Sequence, residues 1–430
     1  MDFITFLAIV VILLIIYNHI NYKVPDALKD IHTITYFSLI VSIITKQNGN
    51  DKLYLRSKEY FEKDGIVKFY FRGKWICMIT DPTIAKEICL RTDIFPKIML
   101  NEIIPNTAAE QHFGINVVHS NDDVWKRHRR ICNPAFKTLP VHLFVEKGLK
   151  LMDILEKVDN KPIEVKDLMQ RFTLDVLGKV AFDFDFNTLE DPNNAYVTAY
   201  NDAHNMFKSP FYNNILQIDR IPILKRLAFR KVNKLNNLFD NIIKEKRKSL
   251  ATGHSNGDLL ELMLKACDDP DISDNQMLSD TELRHNLAVF MVAGHDSTAM
   301  ALSTLLYLLA IHKNVQDKVR EEILRILGDN LIPSAEQHAS LNYLNMVIRE
   351  NLRLYPPVSL PFRASTEDLK CKNFLIPAGT PITLFIYGIQ HSPKLWKDPE
   401  EFLPERFENG HDNYSWLAFG GGSRMLVELF

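Results

Sequence analysis

The chain is short of several things, and each shortage closes off a class of protein. Its five cysteines, Cys77, Cys89, Cys132, Cys267 and Cys371, are scattered and form no Cys-x-x-Cys pair. An odd, dispersed count argues against a disulfide framework and suits a reducing compartment, where each thiol acts as a small buried apolar group. Neither sign of charge is in excess: 51 Lys and Arg face 53 Asp and Glu, so no global field attracts nucleic acid. The two short basic runs, 126–130 and 244–248, read as solvated helix faces or local patches. There is no internal repeat and no low-complexity segment. No uninterrupted apolar run reaches the roughly 17–25 residues of an ordinary transmembrane helix, which disfavours a multi-span membrane protein. What is present is a globular balance, 46% hydrophobic and 24% charged over 430 residues, with material for a large core.

The N-terminus differs in kind. Phe3 to Tyr17 is apolar except for Thr5. Asp2 stands where a cleaved signal would carry positive charge, and Asn18 to Lys23 lacks the small residues of a cleavage site. The segment reads as an uncleaved membrane anchor over residues 1–24, with Asn18 to Ile20 at the interface. Lys23 and Lys29 place the bulk of the chain on the cytosolic side. Residues 25–430 are expected to form one catalytic domain, and Thr33 to Thr45 is apolar enough to skim the membrane surface.

Beyond the anchor the pattern predicts a mainly α chain with small β-sheets (α+β). Ile66–Phe71 and Gly73–Ile79 read as a two-strand hairpin around a glycine turn. Asp81 and Pro82 open a helix toward Leu90. Helical periodicity dominates from about 140 to 320. A long helix is predicted from about Thr281 to His312, with capping residues at Ser279 to Glu282. Its middle, Leu287 to Gly294, is apolar on every face, which places it through the core. Pro356-Pro357 ends a later helix. Short strands follow near Asn373–Ile376 and Ile382–Ile386, with Pro377 to Thr380 as the turn between them.

The chemistry-bearing strings come next. The long helix contains Ala293-Gly294-His295-Asp296-Ser297-Thr298. Glycine inside a helix costs about 1 kcal/mol against alanine, but lets something approach the backbone. Asp296 and Ser297 form an acid–alcohol pair, and such a hydroxyl can bond back to a carbonyl and distort the helix. Taken alone, the string is equally a kink with a satisfied polar patch. Glu350 and Arg353 share one helix face, a pairing worth only about 0.2–0.5 kcal/mol on a surface. Trp125 and Arg129 sit at i,i+4, which alone describes a basic helix packing one aromatic ring. Further on come Pro361-Phe362-Arg363, Pro404-Glu405-Arg406-Phe407 and the loop Phe419 to Arg424, whose three consecutive glycines read alone as a turn.

Taken together and in this order, these strings resemble the cytochrome P-450 family of membrane-anchored haem-thiolate monooxygenases. The resemblance spans nearly the whole chain after the anchor. It implies that family's fold, with the long central helix and the closing loop enclosing a porphyrin-shaped slot. It implies haem as cofactor. Trp125, Arg129, Ala293, Gly294, Arg363, Phe419, Gly422 and Arg424 are then the cofactor-binding residues, with Trp125, Arg129, Arg363 and Arg424 toward the propionates. Asp296 and Ser297 take the proton-delivery roles; the family prefers threonine where Ser297 stands. Arg406 closes a structural network with Glu350 and Arg353. The implied activity is insertion of one oxygen atom from O2 into a hydrophobic small molecule such as a fatty acid or sterol. The implied electron donor is an NADPH-dependent reductase, the implied location the endoplasmic reticulum membrane.

One position departs. In Phe-x-x-Gly-x-Arg-x-Cys-x-Gly, the family's ligand loop, Phe419, Gly422 and Arg424 match, but Leu426 stands at the cysteine and Glu428 at the second glycine. A thiolate must push electron density onto iron for O–O cleavage, and leucine ligates no metal. The metal-ligand set is therefore empty. The domain is expected to be incomplete at its C-terminus and the chain inactive as it stands. The alternative is a non-catalytic, membrane-tethered relative that binds hydrophobic ligands.

Overall fold

The computed structural model describes residues 23–47, 49–136, 140–158, 161–208, 221–268, 277–329 and 332–425. The expected anchor helix and Leu426 lie outside the described residues, as does part of the loop around 268–274.

The β structure is small and is drawn from both ends of the chain, residues 33–79 and 362–384. Strands β1 (Thr33–Ile34), β2 (Ile66–Phe71), β3 (Lys74–Ile79) and β4 (Phe362–Ala364) share one five-stranded sheet with β7 (Pro381–Leu384), in the order β1-β2-β3-β7-β4. The expected hairpin is β2–β3, antiparallel, registered Ile66 to Ile79 through Phe71 to Lys74. Its two-residue turn has Arg72 at φ 50° and Gly73 at φ 92°, the left-handed pair that matches strand twist. The later strands are arranged differently from the expectation. β6 (Phe374–Ile376) pairs with β5 (Leu369–Cys371), whereas β7 joins β3 and β4 in the larger sheet. The Pro377 to Thr380 turn is present, with Thr380 N donating to Pro377 O at 3.1 Å. It connects strands of two sheets rather than one hairpin, because Ile382 and Leu384 find the apolar face formed by Cys77 and Ile79. Ile386 begins a short helix, Ile386–Gln390, instead of prolonging the strand.

The helices carry the rest. Asp81 caps the Pro82–Leu90 helix through its carboxylate, which accepts from Thr83 N and Ile84 N. The central helix runs Asp280–Ile311. A capping box of Ser279 and Glu282 starts it, and Glu282 also receives Arg127 from the Asp122–Cys132 helix. Asn286 reaches His128 of that same helix at 2.8 Å and accepts from Val117 N at 3.0 Å. The first half of the central helix is thereby fixed against the element carrying Trp125 and Arg129, and Leu283, Leu287, Ala288 and Met291 are buried. The second half departs from the expected core placement: Met300, Leu306, Tyr307 and Ile311 are exposed by about half. The two halves meet at a wide five-residue turn, Val292–Asp296, where bonding shifts to the i→i+5 pattern.

Candidate functional site

The site is built from the closing loop upward. Gly422 takes φ 67°, and a Cβ there would lie 2.2 Å from the carbonyl oxygen of Cys89. Only glycine fits a left-handed residue pressed onto another backbone. The loop therefore seats on the end of the Pro82–Leu90 helix, with Gly421 also against Cys89. Phe419 stands edge-on to Trp416 at 5.8 Å. Arg424 then turns inward. Its guanidinium lies 3.9 Å from the Trp125 ring centroid, donates to Ser120 O at 2.8 Å and reaches Asn121 Oδ1 at 3.1 Å. Arg129 donates to Met425 O at 3.1 Å.

Arg363 on β4 joins them, buried, with one weak backbone contact to Phe362 O at 3.3 Å. The sequence did not single out Lys97, which bridges Arg363 in the backbone and exchanges hydrogen bonds with Asn121 (2.9 and 2.8 Å). Nothing local in Phe95-Pro96-Lys97 marks it; only the β-bridge to Arg363 brings it in. The charges show the strain of the arrangement. Burial, then repulsion from Arg363 and Arg424, pushes the Lys97 ammonium well below its ordinary range. Burial pulls Arg363 down to about 10, and burial followed by Arg363 does the same to Arg424. Burial lowers Arg129 as well. Among the described residues none of these four cations has a salt-bridge partner. Partly desolvated like charges without a counter-charge are costly unless an anion joins them.

On the central helix, Ser297 Oγ donates back to Ala293 O. Asp296 Oδ2 accepts from the Tyr200 hydroxyl at 3.2 Å. His295, buried, has Nδ1 2.9 Å from Thr173 Oγ1, which also donates to His295 O at 3.1 Å. The space freed by Gly294 is taken by protein: a Cβ there would meet Leu177 Cδ1 at 2.9 Å. The close approach that this glycine permits comes from a neighbouring helix, Val165–Phe182. The structure brings Ala293, Gly294, Asp296 and Ser297 onto one turn, and Trp125, Arg129, Arg363 and Arg424 into one cluster at the loop. A cleft of about 480 Å³ lies on the Pro222–Ala251 helix, lined by Arg226, Phe229, Arg230, Asn233, Lys234 and Asn237. A small crevice of about 10 Å³ lies by β2, β3 and β4.

Behind the loop, Glu350 and Arg353 are fully buried. Arg353 meets Glu350 with both forks, at 2.7 and 2.9 Å, and Arg406 Nε meets Glu350 Oε1 at 3.0 Å. Leu403 N adds a fourth donor at 3.0 Å. The remaining guanidinium hydrogens go to carbonyls: Arg353 to Gln390 O and Glu401 O, Arg406 to Lys397 O and Asp398 O. Both guanidinium groups lie within 6 Å of the Trp396 ring. Gln390 Oε1 in turn accepts from Leu417 N at 2.8 Å, which carries the rigidity into the closing loop.

Comparison with known proteins agrees with this geometry. The family model described as Cytochrome P450 matches residues 33–425. Cytochrome P450 3A18 of Rattus norvegicus is 30% identical over 404 residues, covering 89% of this chain and 79% of the relative. Cytochrome P450 3A29 of Sus scrofa is 27% identical with the same two coverages. Cytochrome P450 4A2 of Rattus norvegicus is 30% identical, covering 81% and 71%. Among solved structures, the cytochrome P450DA heme domain superposes with a TM-score of 0.75 at 22% identity, over 90% of this chain and 84% of that one, which speaks for the fold. On the family match and these relatives, the chain belongs to the cytochrome P450 family, whose members are monooxygenases.

Proposed function

We propose that this chain keeps the seat of a haem-dependent monooxygenase but not its thiolate, and that as it stands it takes up porphyrin without cleaving O2. The observation that carries this is the knot of Lys97, Arg129, Arg363 and Arg424, where the Asp122 carboxylate acts on Arg424 only from a distance and no carboxylate among the described residues forms a salt bridge with any of the four. A dianionic porphyrin edge is the complement such a knot lacks, so the residues fit the propionate side of haem. They do not supply the axial side: Leu426 offers no donor. Among the described residues no group of three His, Cys, Asp or Glu side chains could hold a metal instead.

Where the family's cofactor is bound with its thiolate, it supplies activation of O2. The rest is the chain's own work. Arg363, Arg424, Arg129 and Lys97 would hold and orient the carboxylates. Asp296 would take up and pass on a proton at its carboxylate, one residue from the Ser297 hydroxyl, on the wide turn that opens the helix ladder. The Glu350–Arg353–Arg406 knot would keep the closing loop in place. We further assign a hydrophobic small-molecule substrate class, an NADPH-dependent reductase as donor for the lineage, and a cytosolic domain at the endoplasmic reticulum membrane. Exposed Phe37 and Val41 on the Tyr36–Ile44 helix support the membrane placement. Leu426 also favours a second reading, a tethered hydrophobic-ligand binder without catalysis.

The test is a titration of the full chain with metal-free protoporphyrin, followed by a reduced carbon-monoxide difference spectrum after haem loading. Porphyrin uptake without a thiolate-type band is expected, and Leu426→Cys together with a full C-terminal helix should restore the band. A thiolate-type band from the unmodified chain overturns the proposal. Uptake of apolar ligands with no porphyrin binding selects the second reading.

A further inference from the structure

Tyr200 lies on the Ala195–Lys208 helix, distant in sequence from every string discussed so far. It is 3% exposed, and its hydroxyl donates to Asp296 Oδ2 at 3.2 Å across a separation of 96 residues. The ring is clamped on two sides. His204, one turn on, stacks on it at 3.8 Å with planes 16° apart, and His295 meets it edge-on at 5.0 Å. His204 Nδ1 lies 3.1 Å from Tyr200 O, which sets the stack. His295 is itself pinned from the far side by Thr173. A rigid aromatic held this way presents its oxygen to one point only.

We propose that Tyr200 is the positioning residue for Asp296, its phenol fixing the orientation of that carboxylate on the wide turn. The inference rests on the reading that Asp296 handles protons. A partly buried carboxylate with no directed donor is free to change rotamer, and a proton handed over from the wrong one goes nowhere useful. A phenol suits the task better than a cation because it donates one directed hydrogen bond and adds no charge. Burial and the neighbouring Asp296 charge hold its own proton far above the ordinary phenol range, so Tyr200 stays a donor and does not shuttle the proton away. The contact also ties the Ala195–Lys208 helix to the central helix at its widest point. Seating of that helix and orientation of Asp296 are thus one event.

The experiment uses the full chain labelled with ¹³Cζ-tyrosine. Tyr200→Phe removes and so assigns one resonance, while keeping the ring packing. At neutral pH, Asp296→Asn should move that resonance, because a neutral amide is a weaker acceptor than a carboxylate. A Tyr200 signal that ignores Asp296→Asn overturns the proposal. In the Leu426→Cys chain with the full C-terminal helix, Tyr200→Phe should lower kcat about tenfold with KM unchanged and enlarge the solvent isotope effect. Turnover equal to the parent overturns the positioning role. If that completed chain gives no thiolate-type band, the proposed site has failed, and the label experiment still decides the Tyr200–Asp296 contact by itself.

Discussion

Two arginine clusters lie close to the closing loop, and they are built on opposite principles. In one, Glu350 sits fully buried among Arg353, Arg406 and Leu403 N, and the spare guanidinium hydrogens go to backbone carbonyls. Charge, geometry and hydrogen bonds close within the protein. In the other, Lys97, Arg363, Arg424 and Arg129 face one another, and each cation is held below its ordinary range. The first cluster is complete and structural. The second is stable only to the extent that its surroundings tolerate repulsion, and that incompleteness marks it as the place for a ligand. Arginine alone indicates neither; whether a carboxylate is in direct contact does, and Asp122 acts on Arg424 only from a distance.

The sharpest way to break the comparison is Glu350→Ala. It leaves the buried Arg353 guanidinium and the partly buried Arg406 guanidinium without their carboxylate, a loss of about 3–5 kcal/mol, expected in chemical denaturation as a large fall in midpoint or as insoluble protein. A fall under about 1 kcal/mol would mean the first cluster is no more closed than a surface pair. Gly422→Ala tests the seat between the two clusters. The left-handed backbone alone costs about 1–2 kcal/mol, and the clash with Cys89 O adds to it. Lys97→Met should act in two directions at once. It should raise the stability of the porphyrin-free chain by removing repulsion, and weaken protoporphyrin binding about tenfold by removing one charged contact, measured by fluorescence quenching. The same substitution should flatten a pH dependence. The folded chain releases the Lys97 proton early while the unfolded chain holds it to about 10.5, so the unfolded state binds more protons in that window and stability rises with pH through it. The smallest effect concerns Glu282. Burial pushes its carboxyl up, but hydrogen bonds from His128 and Ser279 and the Arg127 charge outweigh that and hold it at about 2. Its contribution is complete above 4.5 and is lost as pH falls toward 2; Glu282→Gln should remove that part of the acid limb in a pH series of unfolding curves.

What the sequence made legible follows the range of the interactions. The β2–β3 hairpin, the Asp81 cap and the Ser279–Glu282 capping box are local, and each is legible in a few consecutive residues. Glu350 and Arg353 share one helix turn, and Arg406 became readable only through the resemblance. Lys97 and Tyr200 were missed for the same physical reason: each acquires its role from a partner far along the chain, and neither carries a local pattern. The assignment of β6 and β7 to different sheets was missed because a four-residue turn is equally compatible with a hairpin and with a change of sheet. Gly294 was noticed, but which neighbour fills its space depends on where Leu177 packs, and no spacing rule encodes that.

The five-residue turn at Val292–Asp296 has a consequence for anyone who would re-engineer the long helix. One surplus residue in an α-helix advances everything after it by about 100° around the axis. Residues before and after the bulge therefore obey two different face assignments, and a helical wheel drawn straight through mislabels one half. Deleting a single residue there would let the turn close as ordinary α-helix and leave Ser297 to Ile311 on the faces they now hold, whereas the same deletion a turn further on would rotate everything after it by about 100°.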